Sequence, residues 1–245
     1  HSQQNFLEAT KYYRYFIAQG FQDYMVFSNY GLILKDIGKL DEAEKLQRKA
    51  IELNPDFAQA YSNLGDILNT LGNLKEAEIY TRKAIQLQPD FAMAHSNLGD
   101  ILNTLGNLKE AEISTRKAIQ LQPDFAMAYS NLGDILNTLG DLKEAEISTR
   151  KAIQLQPDFA NAHLNLGATL KDLGKLQEAE ISTRKAIELN PNLAVTHSNL
   201  GNILKDLGKL EKAEKWIRKA IELKPDYAEA HYNLSQILIK EKKFK

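Results

Sequence analysis

Apolar residues along this chain recur at steps of three and four, stop at a glycine, resume, and stop again at a proline. In residues 92–125 (AMAHSNLGDILNTLGNLKEAEISTRKAIQLQPDF), Ala94, His95, Leu98, Gly99, Ile101, Leu102 and Leu105 fall on one face of a helix. Asp90 stands where an N-cap is expected. Gly106 can adopt the left-handed conformation that ends the helix. Asn107 and Glu110 have the spacing of a capping box and start a second helix. Ala111, Ala118, Ile119 and Leu121 carry its apolar stripe, and Pro123 stands where it must stop. Gly99 and Ala111 are small enough to let the two helices approach closely. The pattern predicts an antiparallel helix pair, too small to bury its own core.

Repetition supplies the missing core. Pro55, Pro89, Pro123, Pro157, Pro191 and Pro225 are each 34 residues apart. Two glycine series keep the same interval, one from Gly31 to Gly201 and one from Gly38 to Gly208. A period of this size signals stacked supersecondary units whose shared faces form a continuous core. Units are predicted at 24–57, 58–91, 92–125, 126–159, 160–193 and 194–227, with a half unit at 228–245. Units 58–91 and 92–125 differ only at Gln59/Met93, Tyr61/His95 and Tyr80/Ser114, and the next unit differs from 92–125 only at His95/Tyr129 and Asn107/Asp141. Identical units cannot read different side chains in turn, so a surface built from them suits generic or repetitive polypeptide.

The recurring aromatic, Leu-Gly, Ala, Ala and Pro positions resemble the tetratricopeptide repeat over nearly the whole chain. The resemblance implies an all-α, right-handed superhelical solenoid of antiparallel helix pairs that binds protein partners. One place departs from that family: four residues after the first alanine of the second helix, a bulky aromatic gives way to Gln47, Thr81, Thr115, Thr149, Thr183 and Ile217. Smaller side chains there are expected to change packing between units. Residues 5–23 fit the same grid as a lone second helix or an N-terminal capping helix, with Asn5 and Glu8 at the capping-box places, Ala9 at the alanine and Phe21 where proline is expected. The aromatic cluster Tyr12, Tyr13, Tyr15 and Phe16 would suit a cap. Residues 228–239 read as a first helix, with Ser235 in the glycine place. Ends of this kind are those expected of a piece of a longer array, and their apolar stripes favour end-to-end self-association.

The first helix of each unit is expected to line the inner surface. Its non-core places hold Asn29, Asn63, Asn97, Asn131, Asn165, Asn199 and Asn233, without substitution over seven units. Ser28, Ser62, Ser96, Ser130 and Ser198 precede them, and Asp66, Asp100 and Asp134 follow three residues later in the middle units. A carboxamide offers two donors and an acceptor, enough to hold both the N–H and C=O of a peptide unit. Each such bond contributes only about 0.5–1.5 kcal/mol net, so affinity requires several together. The alternative is that each asparagine satisfies polar contacts between helices. The S-N-L-G runs, with Q/N-P-D/N-F/L after the second helix, resemble the repeat domain of protein O-linked N-acetylglucosamine transferases. That resemblance implies an inner asparagine ladder gripping substrate backbone. The carboxylate clamp of other members needs lysine where this chain has serine, and Asp66, Asp100 and Asp134, with no facing base, would repel an acidic tail.

Composition narrows the remaining options. Lys plus Arg total 31 against 32 Asp plus Glu, a formal net charge of −1, and no basic stripe suits nucleic acid or an anionic membrane. No apolar run approaches a membrane span. Glu8, Lys11 and Arg14 interrupt what a signal peptide would need, and a cytoplasmic location is expected. There is no cysteine, hence no disulfide or thiolate site. His95, His163, His197 and His231 occupy an aromatic packing place one unit or more apart, too far for shared zinc bonds of about 2 Å. The Ser-Thr pairs of the second helices, such as Ser114–Thr115, lack a repeated base partner, and the Glu-Ala-Glu runs read as a solvated face. Met25, Met93 and Met127 share an inner-edge place suited to soft apolar contact. The expectation is therefore a non-enzymatic protein-interaction module, without cofactor, that binds extended polypeptide along the asparagine ladder. Asp66, Asp100 and Asp134 are expected to favour Lys, Arg or hydroxyl side chains. Two other readings stay open: the substrate-recruiting arm of a group-transferring enzyme, and an architectural scaffold.

Overall fold

The structure is a computed structural model that describes residues 2–243, with side chains over residues 8–240. Fourteen helices and no strand occur among the described residues. The chain forms two compact units, His1–Pro123 and Asp124–Lys245. The first unit holds α1 (Ser2–Ala18), α2 (Tyr24–Asp36), α3 (Leu40–Leu53), α4 (Ala58–Thr70), α5 (Leu74–Leu87), α6 (Ala92–Thr104) and α7 (Leu108–Leu121). The second holds α8 (Ala126–Leu139), α9 (Leu142–Leu155), α10 (Ala160–Asp172), α11 (Leu176–Leu189), α12 (Ala194–Asp206), α13 (Leu210–Leu223) and α14 (Ala228–Lys243). From α2 onward, even-numbered helices are the first of each pair and odd-numbered helices the second.

Glycine ends the first helices as the sequence predicts. Gly106 has φ +81°, and the following Asn107 N–H reaches back to the Leu102 carbonyl at 2.8 Å, closing the turn. The starts differ from expectation. Ala92 opens α6 behind Phe91, and Asp90 makes no cap. Asn107 does occupy the N-cap of α7, where its carbonyl accepts from Ala111 N–H at 3.0 Å, but its side chain caps nothing. With φ −82° and ψ 56°, Asn107 lies outside the extended region that capping side chains use. Asp23 does cap with its carboxylate, accepting from the N–H groups of Met25 and Val26. Helix α1 already runs from Ser2, ahead of the start that Asn5 and Glu8 predict. The side chain of Asn5 lies outside the described residues.

Tight contact inside each pair rests on the glycine of the first helix. A Cβ on Gly65 would collide with the Thr81 hydroxyl and stand 3.2 Å from the Ala77 carbonyl, and Gly99 meets Thr115 and Ala111 in the same way. This corrects the expectation for the place that departs from the family pattern. Gln47, Thr81, Thr115, Thr149, Thr183 and Ile217 are buried against the glycine of their own pair, so their size sets the spacing within the unit.

Packing between pairs is asymmetric. In the first unit α2 touches α4 and α4 touches α6; in the second, α8 touches α10, α10 touches α12 and α12 touches α14. Within each unit a second helix also meets the next first helix (α3 with α4, α5 with α6, α9 with α10, α11 with α12, α13 with α14), whereas the backbones of successive second helices stay apart and are bridged only by side chains such as Arg48 and Glu76. The first helices therefore lie on the tighter side of each unit. Leu64, Leu68, Ala77 and Ile101 form one core cluster spanning two pairs, and Leu166, Leu170, Ala179 and Ile203 form its counterpart in the second unit. At the N-terminus, Tyr13 stacks on Tyr30 with ring centroids 5.9 Å apart and Arg14 Nε donates to the Tyr30 hydroxyl, while Tyr12 and Tyr15 point to solvent. No described helix is long and apolar enough to cross a membrane.

Candidate functional site

The invariant asparagines sit on the first helices, two residues before the place that, up to Gly201, holds the glycine packed against the second helix. Three of them, Asn63, Asn97 and Asn165, reach the serine that precedes the asparagine of the previous repeat. Asn63 Nδ2 donates to Ser28 Oγ at 3.2 Å, Asn97 Nδ2 to Ser62 Oγ at 3.2 Å, and Asn165 Nδ2 to Ser130 Oγ at 3.2 Å. Asn165 Nδ2 also lies 3.2 Å from the Ser130 carbonyl. The carboxamides thus join neighbouring first helices, the alternative role foreseen for them. One N–H of each bonded amide is spent there. Among described residues the Oδ1 atoms of Asn97 and Asn165 receive no hydrogen bond, whereas that of Asn63 accepts from Gln59 Nε2 at 2.8 Å. Burial varies along the row: Asn29 is exposed, Asn97, Asn131, Asn165 and Asn199 are half-buried, and Asn63 and Asn233 are buried. Asn131 has a polar partner, and Nδ2 of Asn233 meets no acceptor.

The carboxylates are engaged as well. Lys35 Nζ forms an ion pair with Asp66, correcting the expectation that no base faces this residue. Asp100 accepts from Asn69 Nδ2 at 2.7 Å, and Asp134 also has a polar partner. Unit 160–193 carries Ala168 in the aspartate place, and Asn137 turns instead to Thr169 Oγ1 at 3.3 Å and Asp172 Oδ2 at 3.2 Å. A second row of polar links therefore runs beside the Asn–Ser row. Both join one unit to the next along the tighter side.

Two glutamines that the sequence marks only as departures between repeats take polar roles here. Gln47 exchanges two bonds of 2.9 Å with Ser28, accepting from its hydroxyl and donating to its carbonyl, so Ser28 ties α2, α3 and α4 together. Its signal was its exchange for the threonine of other units. Gln59 replaces the methionine found at 93 and 127, and its only signal was that difference. Met25 and Met93 are exposed at this inner edge and Met127 is half-buried. The histidines serve the turns. His95 Nε2–H donates to the Pro89 carbonyl at 3.0 Å, and His163, His197 and His231 repeat the bond to Pro157, Pro191 and Pro225 at 3.0, 2.8 and 2.8 Å. No group of three metal-ligating side chains lies together among the described residues.

Comparison with known proteins follows the 34-residue grid. A TPR repeat model matches residues 31–72, 133–174 and 201–240, and further tetratricopeptide repeat models match 58–91 and 160–193, 183–215, and 94–125. No curated protein matches the sequence. Among solved structures, the crystal structure of the APC/C hetero-tetramer Cut9-Hcn1 superposes with TM-score 0.88 at 17% identity, over 95% of this chain and 46% of that one. This chain thus spans less than half the length of that neighbour. PilF of Pseudomonas aeruginosa aligns with TM-score 0.68 at 20% identity, covering 87% of this chain and 97% of its own. YrrB, described as a TPR protein with an unusual peptide-binding site, aligns with TM-score 0.52 at 27% identity over 76% of this chain and 96% of its own.

Proposed function

The chain belongs to the tetratricopeptide repeat family, and we propose that it is a protein-interaction module that holds extended polypeptide along the tighter face of its first helices. The observation that carries this reading is the anchoring of the asparagines. A bond from Nδ2 to the preceding repeat's serine fixes the carboxamide planes of Asn97 and Asn165, while their Oδ1 atoms remain open to an incoming peptide N–H. A preorganised acceptor loses little rotamer freedom on binding. Repetition every 34 residues supplies the several bonds that one amide cannot. The peptide-binding description of YrrB and the resemblance to the repeat domain of O-linked N-acetylglucosamine transferases favour the same use of this face. Asp100 and Asp134 give the face negative charge, so Lys, Arg and hydroxyl side chains are the favoured guests.

The test is calorimetric titration of unstructured peptides of mixed composition against a variant with Asn97, Asn131 and Asn165 all changed to Ala. At least tenfold weaker binding is expected. A paired variant, Ser62→Ala with Ser130→Ala, removes the hydroxyl anchors but keeps the carboxamides, and should bind more weakly than the parent yet more tightly than the asparagine variant. Unchanged affinity in the asparagine variant would sink the ladder. Binding of basic peptides should weaken as salt rises, because screening acts on the Asp100 and Asp134 contribution. The resemblance to the transferase repeats also supports a second use of the same face, as a substrate-recruiting arm. Attachment of the array to a group-transfer domain in the gene would decide that.

A further inference from the structure

The backbones of successive second helices stay apart and only long side chains bridge them, so a wedge opens between them on the side away from the asparagines, floored by the first helix of the later pair. What fills the wedge changes along the chain. In the second unit, between α11 and α13, Trp216 occupies it. The indole stacks on His197 with ring centroids 5.4 Å apart and planes at 29°, lies under the Arg184 guanidinium at 5.7 Å, and packs with Ile187 and Leu200. In the first unit, between α3 and α5, Tyr80 does the same. It faces Tyr61 at 6.1 Å, lies under Arg48 at 5.3 Å, accepts a bond from Arg48 at 2.8 Å, and packs with Ile51 and Leu64. Histidine or tyrosine below, arginine above and isoleucine beside form a socket for one planar ring.

Between α9 and α11 the socket is present and the ring is missing. Arg150, Ile153, His163 and Leu166 stand 34 residues before Arg184, Ile187, His197 and Leu200, but Ser182 replaces the tryptophan. These residues line an open cleft of about 500 Å³, predominantly apolar, with Ile181 on its rim. Ile181 is 70% exposed, as the isoleucines at the same place in other repeats also are (Ile79 66%, Ile113 70%, Ile147 69%), so the cleft is marked by the missing ring and not by this rim residue. Arg150 is held in place from both sides, by Glu146 at 2.9 Å and Glu178 at 2.8 Å. His163 is fixed by its bond to the Pro157 carbonyl. In the first unit, α5, α6 and α7 carry the same set, Arg82, Ile85, His95, Leu98, Ile113 and Ser114.

We propose that the cleft between α9, α10 and α11 is a receptor for an aromatic side chain, tryptophan foremost, presented by a polypeptide partner. The chain's own Trp216 and Tyr80 show the pose: ring flat on His163, edge against Ile153 and Leu166, face toward the Arg150 cation. Tryptophan is preferred because its larger ring covers the cleft and gives the strongest cation–π contact. This site opens between second helices, with α10 as its floor, and is independent of the asparagine face.

N-acetyl-tryptophanamide, with indole as a second probe, tests it by NMR titration of the full chain. Saturable shifts of the Ile181 methyl and His163 ring are expected, with Kd in the millimolar range for so small a probe. The Ile79 methyl, beside the socket already filled by Tyr80, should stay still. Ser182→Trp should fill the cleft from within and weaken binding at least tenfold, while Trp216→Ser should open a new site sensed at Ile187. Far-UV circular dichroism establishes that both variants fold. Absence of saturable shifts, equal shifts at Ile79 and Ile181, or binding undiminished in folded Ser182→Trp would each overturn the proposal. Self-association that Ser182→Trp abolishes would reassign the occupant to a second copy of this chain and refute a foreign partner.

Discussion

A glycine facing a threonine hydroxyl decides how near the two helices of a pair can stand. Gly99→Ala places a methyl on Thr115 and is expected to cost about 1–3 kcal/mol by overpacking. Adding Thr115→Ala should restore part of that loss, because the colliding hydroxyl goes with it. Chemical denaturation of the three variants checks this. At Gly106 there is open space but φ is +81°, so Gly106→Ala should cost about 1 kcal/mol through backbone strain alone. The small residues at 99 and 111 were legible in the sequence as a close contact. The role of Thr115 was not, since its face depends on the rotation of the second helix, and a family comparison pointed it toward the next unit. The asparagines were legible as a row on one face. Their bonds to serines 35 residues earlier were not, because no local pattern reveals which side-chain atoms meet across stacked helices.

At the level of the helix, periodicity located the elements well and cap chemistry located their starts poorly. Leu108 follows Asn107 into α7 with a backbone conformation that a hydrogen-bonded turn from α6 already fixes, so the cap side chain has no part to play. Asn107→Ala should therefore change stability by only a few tenths of a kcal/mol, whereas Asp23→Ala should cost about 1 kcal/mol; thermal melts of the two variants separate the cases. Ion pairs help bridge second helices whose backbones stay apart. Glu146 of α9 meets Lys175 at 2.7 Å and Arg150 at 2.9 Å, and Glu180 of α11 meets Lys209 and Arg184 at 2.8 Å each. Their hydrogen bonds to these cations hold both carboxyls below the usual range. A folded pKa lowered beneath the unfolded one means stability that is present above the unfolded value, near 4.5, and disappears as pH falls through the folded value. Stability measured in urea from pH 7 down to pH 3 should fall. The fall should be shallower in Glu146→Gln, which at pH 7 should lose on the order of 0.5–1 kcal/mol.

Across the whole chain, every polar link between units of the repeat that is described above reaches one unit away and no farther. Stability should then be close to a sum of unit and neighbour contributions. Deleting residues 58–91 joins Phe57 to Ala92, the same residue types that meet at Phe91–Ala92. The shortened protein should keep its helicity per residue, and its urea m-value should fall by roughly a seventh, in proportion to the surface lost. Aggregation or loss of helicity beyond the excised segment would count against an additive array. The 34-residue period made the repeat plan legible from the sequence without any local assignment. The sockets between second helices were not legible, because the exchange of Trp216 and Tyr80 for serine reads as ordinary surface variation until the neighbouring helix supplies His163 and Arg150.

Near-identity of residues 58–91, 92–125 and 126–159 has a consequence for heredity. DNA encoding such copies can misalign during recombination, and an exchange offset by one copy adds or removes a whole unit with the reading frame intact. Each resulting junction brings together a seam of familiar residues, so daughter proteins of different length remain foldable. Copy number, and with it the length of partner that can be embraced, becomes a quantity that selection can adjust in single steps.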